Sequence, residues 1–417
     1  MKHVFFKASL LLMMFLHSVT SFSSESKKRK VLFVILDGIA YDMLSEKVSP
    51  TLMKIGKEGY LTKAYVGGGK DTYSQTPTVS AVGYNSLITG TWVNKHNVFG
   101  NSIKAPNYNY PTIFKLVKDL APTKKIAVFS TWMDNRTKLI GEGLPQTNSL
   151  KMDYSFDGFE LDDRLFPKDK QSDYIKEIDN IVVHRADEYI RKYAPDVSWV
   201  YLQYSDDIGH RFGDSPELNQ AIAFEDELVK KLYAAVEYRE EEMNEDWLFI
   251  VTTDHGRTAE DGKHHGGQTD RERSIWILSN KKELNNYPKA FEPSIVDILP
   301  TMLSFLNLEV EEEIKREFDG NNLYAPILID DLKAQVNANQ LAVSWEVAPE
   351  VSNEKGELWI ATTNNVKEAG KDAYKLLKTV KLGDGKASVK LSKQDTSSFY
   401  KLYLKSEGGN LNTWISK

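Results

Sequence analysis

The chain contains short apolar runs that stop abruptly at a polar residue, and one of them shows the pattern most clearly. It spans residues 247–256, is rich in β-branched and aromatic side chains, and ends in Asp254, His255 and Gly256. Periodicity alone does not separate a buried strand from a buried helix. An apolar length of about six residues and the polar stop favour a parallel strand buried on both faces. Side chains at its carboxyl end would open into the crevice where α/β sheets bind ligands, although a solvated strand end explains this stretch equally well.

Two further apolar runs also end in carboxylates. Residues 31–36 are followed by Asp37, and residues 197–204 are followed by a segment with Asp206 and His210. Helical patterns separate these strands, so we predict a doubly wound, mostly parallel α/β sheet. Asp206 and His210 are four residues apart, so they can converge on one ion if their turn is helical.

The pattern changes near residue 330. From Gln340 onward helical patterns stop, and short alternating runs that are typical of strands take over. Strands at this spacing suggest a small antiparallel sandwich, similar to a fibronectin type III module. We therefore expect an α/β domain over residues 30–328 and an all-β accessory domain over residues 335–417.

The first two dozen residues differ in composition from the rest. Lys2 and Lys7 precede an apolar run over residues 8–16, and small residues follow it. The run is too short to span a bilayer comfortably, so it predicts a signal peptide over residues 1–23, with an uncleaved anchor as the alternative. We expect a periplasmic or secreted protein whose mature chain has no transmembrane segment.

Composition narrows the range of functions. The 417 residues are 41% hydrophobic and 27% charged, which is ordinary for a soluble globular protein. A net charge of -6 argues against a nucleic-acid-binding surface, although it says little about small anionic substrates. The chain has no cysteine, which excludes disulfides and attachment through a lipidated cysteine.

A segment rich in glycine, serine and threonine, residues 67–80, leads into a helical pattern over residues 81–90. The amino end of a helix can bind an anion through its free N–H groups. An ordinary serine or threonine cap explains the same pattern, and it is the simpler reading of this segment alone.

Carboxylates and imidazoles collect at the predicted strand ends. Of eight histidines, four fall in these motifs, in a chain that offers no thiolate ligand. Oxygen and imidazole nitrogen ligands suit zinc, with manganese and iron as alternatives. Two such ions a few ångströms apart would form a clamp for in-line displacement at phosphorus.

The order of these motifs resembles the alkaline phosphatase superfamily, and most closely its nucleotide pyrophosphatase/phosphodiesterase branch. The resemblance covers roughly residues 30–325 and rests on five blocks in family order, of which residues 206–213 are the most characteristic. It implies a hydrolase with two divalent ions, most simply zinc. The implied ligands are Asp206, His210 and His265 for one ion and Asp37, Asp254 and His255 for the other. His265 is preferred to His264 because the family's histidine directly precedes a glycine.

The resemblance also implies a nucleophile. The family nucleophile lies ten residues before a Thr-Gly pair and 21 residues before an asparagine; both spacings, counted from Gly90 and Asn101, indicate Ser80. Ser80 would bind a metal ion as well, and Asn101 would hold a phosphoryl oxygen. This chain departs from the branch, because serine replaces its threonine and Ala-Val-Gly replaces its usual Phe-Pro-Asn. The reaction survives that change, but the branch's substrate does not carry over. Thr76 and Thr78 are the competing candidates.

Substrate charge is harder to predict. A related monoesterase branch adds a Lys-x-Arg pair on the phosphate, whereas this chain has Asp134 and Arg136 at the nearest equivalent. An acid there disfavours a dianionic monoester, so we expect diesters, with Arg136 either binding substrate or forming a salt bridge on a loop. Aromatic residues nearby either line a substrate pocket or form a small satellite core; they are Tyr154, Phe156, Phe159 and Phe166.

We therefore predict a two-zinc hydrolase of phosphate diesters that acts through a covalent phosphoseryl intermediate. Its substrate would be a small-molecule, lipid or glycan phosphate ester, and the accessory domain would bind a partner that the sequence does not identify. A phosphomonoesterase or phosphonate hydrolase on the same site is the first alternative. The second is a catalytically inactive binding protein of the cell surface. The sulfatase branch is unlike this chain, because the Pro and Arg that follow its nucleophile are missing.

Overall fold

The computed structural model of the protein describes residues 27–282, 290–351 and 353–416. The predicted signal peptide over residues 1–23 lies outside these ranges. Among the helices in the described ranges, none combines the length and apolar character that crossing a membrane requires.

A seven-stranded sheet forms the centre of the larger region. Its strands run in the spatial order β2-β7-β6-β1-β5-β3-β4. The strands β6, β1, β5, β3 and β4 pair in parallel, and β7 is antiparallel to both of its neighbours. The bounds are β1 (Lys28–Leu36), β2 (Tyr60–Tyr65), β3 (Ile126–Ser130), β4 (Tyr154–Phe156), β5 (Val197–Leu202), β6 (Glu245–Thr252) and β7 (Ser274–Ser279). The predicted mostly parallel α/β sheet is confirmed.

Helices cover both faces of this sheet. They are α1 (Pro50–Glu58), α2 (Ser80–Thr89), α3 (Val93–His96), α4 (Ile113–Leu120), α5 (Asp173–Tyr193), α6 (Tyr204–Phe212), α7 (Pro216–Glu242), α8 (Asp270–Arg273), α9 (Ile298–Phe305) and α10 (Glu312–Lys315). Helices α2, α4 and α9 contribute to the core on one face, and α1, α5 and α7 contribute to the core on the other. This two-sided cover explains why the central strands are apolar throughout.

Strand β1 shows directly how the sequence produces two cores. Alternate side chains of a strand point to opposite faces of the sheet. Val31, Phe33 and Ile35 belong to the core on the α2 side, and the residues between them belong to the core on the α5 side. Because every position from Val31 to Leu36 is apolar and buried, neither face of this part of the strand is left for solvent.

The predicted elements differ from the observed ones in two places. The apolar run at 197–204 ends as a strand at Leu202, because Tyr204 already begins α6. The segment 134–170, for which the sequence pattern gives no element, contains a π-helical turn at Asn135–Ile140 and the edge strand β4.

Residues 329–416 form two antiparallel sheets that enclose a separate apolar core. One sheet has the order β11-β10-β13-β14 and the other β12-β9-β8. The strands are β8 (Ile329–Asn337), β9 (Gln340–Val347), β10 (Lys355–Ala361), β11 (Lys375–Lys381), β12 (Lys386–Lys390), β13 (Phe399–Ser406) and β14 (Gly409–Ser416). The expectation of an antiparallel β region is confirmed. Strand β11 alternates only weakly, because Val380 is its one buried side chain.

Buried lysines join the two regions. Lys95 on α3 donates to the backbone oxygen of Glu317 (2.8 Å), to Asp319 Oδ1 (2.7 Å) and to Asn412 Oδ1 on β14 (2.9 Å). Lys401 on β13 forms ion pairs with Glu317 (2.9 Å) and Asp372 (2.8 Å). Removing one partner of a buried pair leaves the other charge uncompensated, so these contacts should make the interface sensitive to mutation.

We expect Lys401→Met to lower the free energy of unfolding by about 3–5 kcal/mol, because the buried Glu317 and Asp372 both lose their cation. Urea denaturation followed by circular dichroism measures this. Lys405→Met is the matched control on the same strand, since Lys405 is 45% exposed and pairs only with the side chain of Glu312. An exposed pair of this kind contributes at most about 1 kcal/mol. Equal losses in the two variants would contradict the expectation.

Candidate functional site

The carboxyl ends of β1, β5 and β6 lie side by side in the middle of the sheet. Asp37 directly follows β1, and Asp254 and His255 follow β6. Helix α6 begins two residues after β5, with Asp206 in its first turn and His210 in its last. The loop between β6 and α8 supplies His265, which faces the same region. The structure therefore brings together all six residues that the resemblance implies as metal ligands.

The first group of ligands consists of Asp37, Asp254 and His255, all buried. Asp37 Oδ1 and Asp254 Oδ2 each lie 3.3 Å from His255 Nε2. None of these three atoms has a hydrogen-bond partner among the described residues. Buried polar atoms without partners are rare and costly, so three of them facing one point fit a bound cation.

The second group consists of Asp206, His210 and His265, and His255 lies within ligand distance of Asp206 and His265 as well. His210 Nε2 lies 3.2 Å from Asp206 Oδ2 and 3.1 Å from His265 Nε2. These separations are close to the edge of about 3.3 Å that a tetrahedron with zinc–ligand bonds of 2.0–2.1 Å would have. The His255 and His265 rings stack with centroids 3.7 Å apart, so the two groups adjoin. Of the adjacent histidines 264 and 265, the structure turns His265 toward the other ligands.

The imidazole orientations are also set for metal binding. In each of the three rings Nδ1 lies 2.9 Å from a backbone oxygen; the pairs are His210 with Lys263, His255 with Gly256 and His265 with Thr78. A ring that donates from Nδ1 to a carbonyl leaves the Nε2 lone pair for a metal ion. All three Nε2 atoms face the carboxylate oxygens or another imidazole at 3.1–3.3 Å. A cation between these atoms, either a proton or a metal ion, would relieve the repulsion between their lone pairs.

The pKa directions reflect this excess of buried negative charge. Burial raises the pKa of the Asp254 carboxyl well above its usual range, and the charge of Asp37 adds to the effect. Burial lowers the pKa of His255, but the charges of Asp254 and Asp37 outweigh it and raise that pKa to about 9. Burial together with the charge of His255 lowers the pKa of His265 to about 4. In the second group, the hydrogen bond with Asp206 raises the pKa of His210 despite burial.

Two tyrosines hold Asp37, and the sequence reasoning missed both. The hydroxyl of Tyr201 donates to Asp37 Oδ2 at 2.7 Å, and the hydroxyl of Tyr84 donates to the same oxygen. Burial raises the pKa of both phenols well above the usual value, and the nearby Asp37 adds to this, so both remain donors. Tyr84 lies one helical turn after Ser80 on α2, which was the available sequence signal.

Arg257 was also missed, although it directly follows the Asp-His-Gly motif. Its side chain is fully buried. It donates to the backbone oxygens of Gly38 (2.9 Å), Gly262 (3.1 Å) and Asp206 (3.0 Å), and also to Asp206 Oδ1. Burial tends to raise the pKa of Asp206, but the hydrogen bond with His210 and the charge of Arg257 hold it well below the usual range.

Ser80 is the first residue of α2, and its side chain borders a cavity of about 300 Å³. Asn101 lines the same cavity, and its Oδ1 accepts a hydrogen bond from the backbone N–H of Ala81 at 3.0 Å. That contact leaves the Asn101 Nδ2 donors for another acceptor. Asp37 and Asp206 complete this end of the cavity. Ser80 and Asn101 thus share a cavity with one carboxylate from each ligand group.

The competing hydroxyls are engaged elsewhere. Thr78 Oγ1 donates to the backbone oxygen of Gly267 (2.8 Å) and accepts from the N–H of Gly266 (3.0 Å). Thr76 Oγ1 donates to the backbone oxygen of Ser74 (2.9 Å) and accepts from the N–H of Val93 (3.2 Å). Thr78 therefore positions the loop that carries His265.

The glycine that replaces the branch's usual asparagine has a packing reason. A Cβ atom at Gly83 would lie 2.7 Å from the backbone oxygen of Asp254 and 2.9 Å from its Cβ. Helix α2 can lie this close to the end of β6 only if position 83 has no side chain. The departure from the branch pattern thus brings the start of α2 against the metal ligands.

The structure does not bring Arg136 to this cavity. Its guanidinium forms ion pairs with Asp157 (2.6 Å) and Glu142 (2.6 Å), and Asp134 pairs with Lys138 (2.7 Å). These loop contacts correspond to the salt-bridge alternative.

Of the two alternatives for the aromatic residues near this segment, the structure shows the satellite core. The rings of Phe156 and Phe159 (4.6 Å) and of Phe159 and Phe166 (5.8 Å) pack together, and Tyr154 stacks on Tyr189 (3.8 Å). These rings pack against the core on the α5 side of the sheet. The cavity is lined by other residues, namely Trp132, Glu160, Leu161, Lys168, Tyr174, Ile175, Tyr201 and Gln203.

The model of the family described as type I phosphodiesterase / nucleotide pyrophosphatase matches residues 31–327. No curated protein sequence matches the chain.

Among solved structures, a 2-O GAG sulfatase has 12% sequence identity and a TM-score of 0.52, covering 88% of this chain and 85% of its own. Human ectonucleotide pyrophosphatase/phosphodiesterase 5 has 13% identity and a TM-score of 0.45, covering 68% and 96%. The phosphonate monoester hydrolase of Agrobacterium radiobacter has 13% identity and a TM-score of 0.48, covering 93% and 89%. The likeness to the sulfatase shows a shared fold.

Because Asp254 is a buried carboxylate, replacing it with asparagine should change the melting temperature in opposite directions in metal-free and metal-loaded protein. In metal-free protein, Asp254→Asn should raise the melting temperature, because the raised pKa shows that the carboxylate is unfavourable in the folded state. In metal-loaded protein the same change should lower it, because a ligand that stabilises by mass action is lost. Calorimetry with and without a chelator measures both.

Asp119→Asn, on the exposed end of α4, is the control and should change neither melting temperature. The same sign in both conditions would count against a metal site at Asp254.

Proposed function

The chain belongs to the type I phosphodiesterase / nucleotide pyrophosphatase family, within the alkaline phosphatase superfamily, and from this we propose that it is a two-metal hydrolase of phosphate diesters. The predicted family resemblance is thereby confirmed, and with it a hydrolase of this superfamily. One observation supports the finer proposal most strongly. Ser80, Asn101 and carboxylates of both ligand groups border one cavity, next to three buried ligand atoms without partners.

The residues that would hold the ions are Asp37, Asp254 and His255 for one, and Asp206, His210 and His265 for the other. Oxygen and imidazole donors without thiolates suit zinc, with manganese and iron as alternatives. When bound, such ions favour the deprotonated form of a hydroxyl nucleophile and offset charge on the phosphoryl and leaving oxygens.

Ser80 serves as the nucleophile in this proposal. Its Oγ gives up its proton to water and forms a bond to phosphorus while the bond from phosphorus to the leaving oxygen breaks, and the leaving oxygen takes up a proton from water, so that one proton is released and one is taken up. The phosphoseryl ester is then hydrolysed by water, which returns the hydroxyl of Ser80. The position of Ser80 at the amino end of α2 puts the positive end of the helix dipole beside the developing charge.

Asn101 stabilises the transition state. Its Oδ1 is occupied by the N–H of Ala81, so its Nδ2 can donate to a nonbridging phosphoryl oxygen. A donor held in place before the reaction costs no reorganisation when charge develops.

The cavity wall supports diesters over monoesters. Trp132, Leu161 and Tyr174 offer apolar surface for a second ester group. Glu160 lies on the same wall, and an acid there repels a dianion more than a monoanion. A monoester or phosphonate substrate is the second candidate, because Lys168 also lines the cavity and can offset the extra charge. A catalytically inactive binding protein is disfavoured, because none of the six ligand positions or the nucleophile position has lost its functional group.

We also propose that residues 1–23 direct export, so that the enzyme acts in the periplasm or outside the cell. The short apolar run after Lys2 and Lys7 supports this. Amino-terminal sequencing of the mature protein tests it, and a chain that keeps residue 1 would contradict cleavage.

We expect Ser80→Ala to reduce kcat by about 10³-fold or more, because the covalent route is lost. Steady-state kinetics at saturating zinc measures this. Thr78→Ala is the matched control: its hydroxyl holds the loop of His265, so any loss should come from weaker metal binding, and added zinc should restore it. If zinc restored Ser80→Ala and failed with Thr78→Ala, the roles would have to be exchanged.

We expect a higher kcat/KM for 4-nitrophenyl phenyl phosphate than for 4-nitrophenyl phosphate, two substrates with the same leaving group. Glu160→Gln should move the ratio toward the monoester, because a negative charge on the cavity wall is removed. Burial raises the pKa of Glu160, so the assay belongs at alkaline pH, where the carboxyl is ionised.

Asp134→Asn, outside the cavity and paired with Lys138, is the control and should leave the ratio unchanged. Unmutated enzyme that prefers the monoester by tenfold, about 1.4 kcal/mol of transition-state binding, would overturn the diester proposal.

A further inference from the structure

Each of the three carboxylates of the proposed metal centre has one oxygen occupied by a protein donor. Asp37 Oδ2 accepts from Tyr84 and Tyr201, Asp206 Oδ1 accepts from Arg257, and Asp254 Oδ1 accepts from the N–H of Gly38 at 3.1 Å. The oxygens that face the imidazoles are the other ones, Oδ1 of Asp37 and Oδ2 of both Asp206 and Asp254. In each carboxylate, therefore, one oxygen is engaged by a protein donor and the other faces the imidazoles, where an ion would bind.

Arg257 makes more hydrogen bonds at this site than the other donors do. Its three nitrogens all donate, and two of the acceptors belong to Asp206 itself. The guanidinium thus holds both the backbone and the side chain of Asp206, and it also ties the end of β1 at Gly38 to the loop at Gly262. A planar fork with donors in several directions is specific to arginine, and lysine offers only one point charge.

Two glycines make room for this guanidinium. A Cβ atom at Gly209 would lie 2.1 Å from Arg257 Cζ, and a Cβ atom at Gly38 would lie 2.8 Å from its Nη2. Gly209 is on α6, between Asp206 and His210. The helix that carries two ligands can therefore approach Arg257 only because this position lacks a side chain.

The number of oxygens that a carboxylate offers affects which ion it prefers. Zinc sites are almost always four-coordinate, with one atom from each ligand. Manganese and calcium take six or more oxygen ligands, and calcium accepts carboxylates that bind through both oxygens. Blocking one oxygen of every carboxylate therefore favours the ion with the lower coordination number.

We propose that Arg257, together with Tyr84 and Tyr201, is a metal-selectivity device: these side chains restrict Asp206 and Asp37 to one oxygen each and so favour four-coordinate zinc over six-coordinate ions. They are positioning residues, because they act through the ligands. The inference rests on the metal centre of the proposed function, but not on the reaction that the centre performs.

The test uses full-length protein and readouts that need no turnover. Affinities for Zn²⁺ and Mn²⁺ are measured by competition with a chelator, and the visible absorption of Co²⁺-substituted protein reports coordination number, because tetrahedral Co²⁺ absorbs far more strongly than octahedral Co²⁺. The variants are Arg257→Gln, which frees Asp206 Oδ1, and Tyr84→Phe with Tyr201→Phe, which frees Asp37 Oδ2. Loss of such outer contacts lowers metal affinity by about 10–100-fold, so we expect the preference for Zn²⁺ over Mn²⁺ to fall at least about tenfold.

Two further variants separate position from charge. Arg257→Lys keeps the charge and should restore part of the preference. Gly209→Ala keeps the arginine but pushes its guanidinium away, and it should weaken the Co²⁺ absorption as Arg257→Gln does. Arg271→Gln is the matched control, since Arg271 pairs with Asp42 and Asp214 rather than with a ligand, and it should leave metal preference unchanged.

The outcomes distinguish this inference from the proposed function. Strong Co²⁺ absorption and an unchanged Zn²⁺/Mn²⁺ ratio in both Arg257→Gln and the double tyrosine variant would overturn the selectivity device and leave the metal centre intact. Failure of the unmutated protein to bind any of the three ions would overturn the metal centre itself. If Arg257→Gln does not fold, the tyrosine variant, which removes only two hydroxyl groups, still decides the question.

Discussion

Three buried carboxylates that turn their free oxygens toward neighbouring imidazoles are the constraint on which the rest of this structure depends. Ionised groups taken out of water are costly unless a cation or a hydrogen bond compensates them. Asp37, Asp206 and Asp254 have donors on one oxygen each, and burial together with the charge of Asp37 raises the pKa of Asp254 well above its usual range. A cation among these oxygens and imidazole nitrogens would compensate the buried charge, and these residues could hold one.

The fold meets this constraint because glycines let helices lie close to the residues at the strand ends. Parallel strands deliver the carboxylates at one edge of the sheet, and the side chains that donate to them come from β5 (Tyr201), from helix α2 (Tyr84) and from the loop after β6 (Arg257). Gly83 lets α2 lie against Asp254, and Gly209 lets α6 lie against Arg257. The same helix α2 begins with Ser80 and carries Tyr84, so one packing contact positions the proposed nucleophile and a donor to Asp37 together.

The sequence by itself determined the fold class and the grouping of the ligands. Apolar runs with a polar stop, as at Asp37 and Asp254, identify parallel strands buried on both faces, because a half-exposed strand would alternate. Since the carboxyl ends of neighbouring parallel strands meet at one edge, residues far apart in the chain are expected to converge there. The family resemblance rests on such local spacings, which survive at low overall identity. It pointed to Ser80 and Asn101, which the structure brings to one cavity.

The tertiary structure alone decided what surrounds these groups. Arg257 and Tyr201 carry no local signal of their role, because each acts on a carboxylate from another element. The sequence offered Arg136 and the aromatic residues near 154–166 for substrate binding, yet Asp157 and Glu142 neutralise the arginine and the rings pack into a core. Periodicity records that a side chain is apolar or charged, but not which partner it meets. The partner depends on how whole helices and strands pack, because residues that are distant in the chain come into contact only in the folded structure.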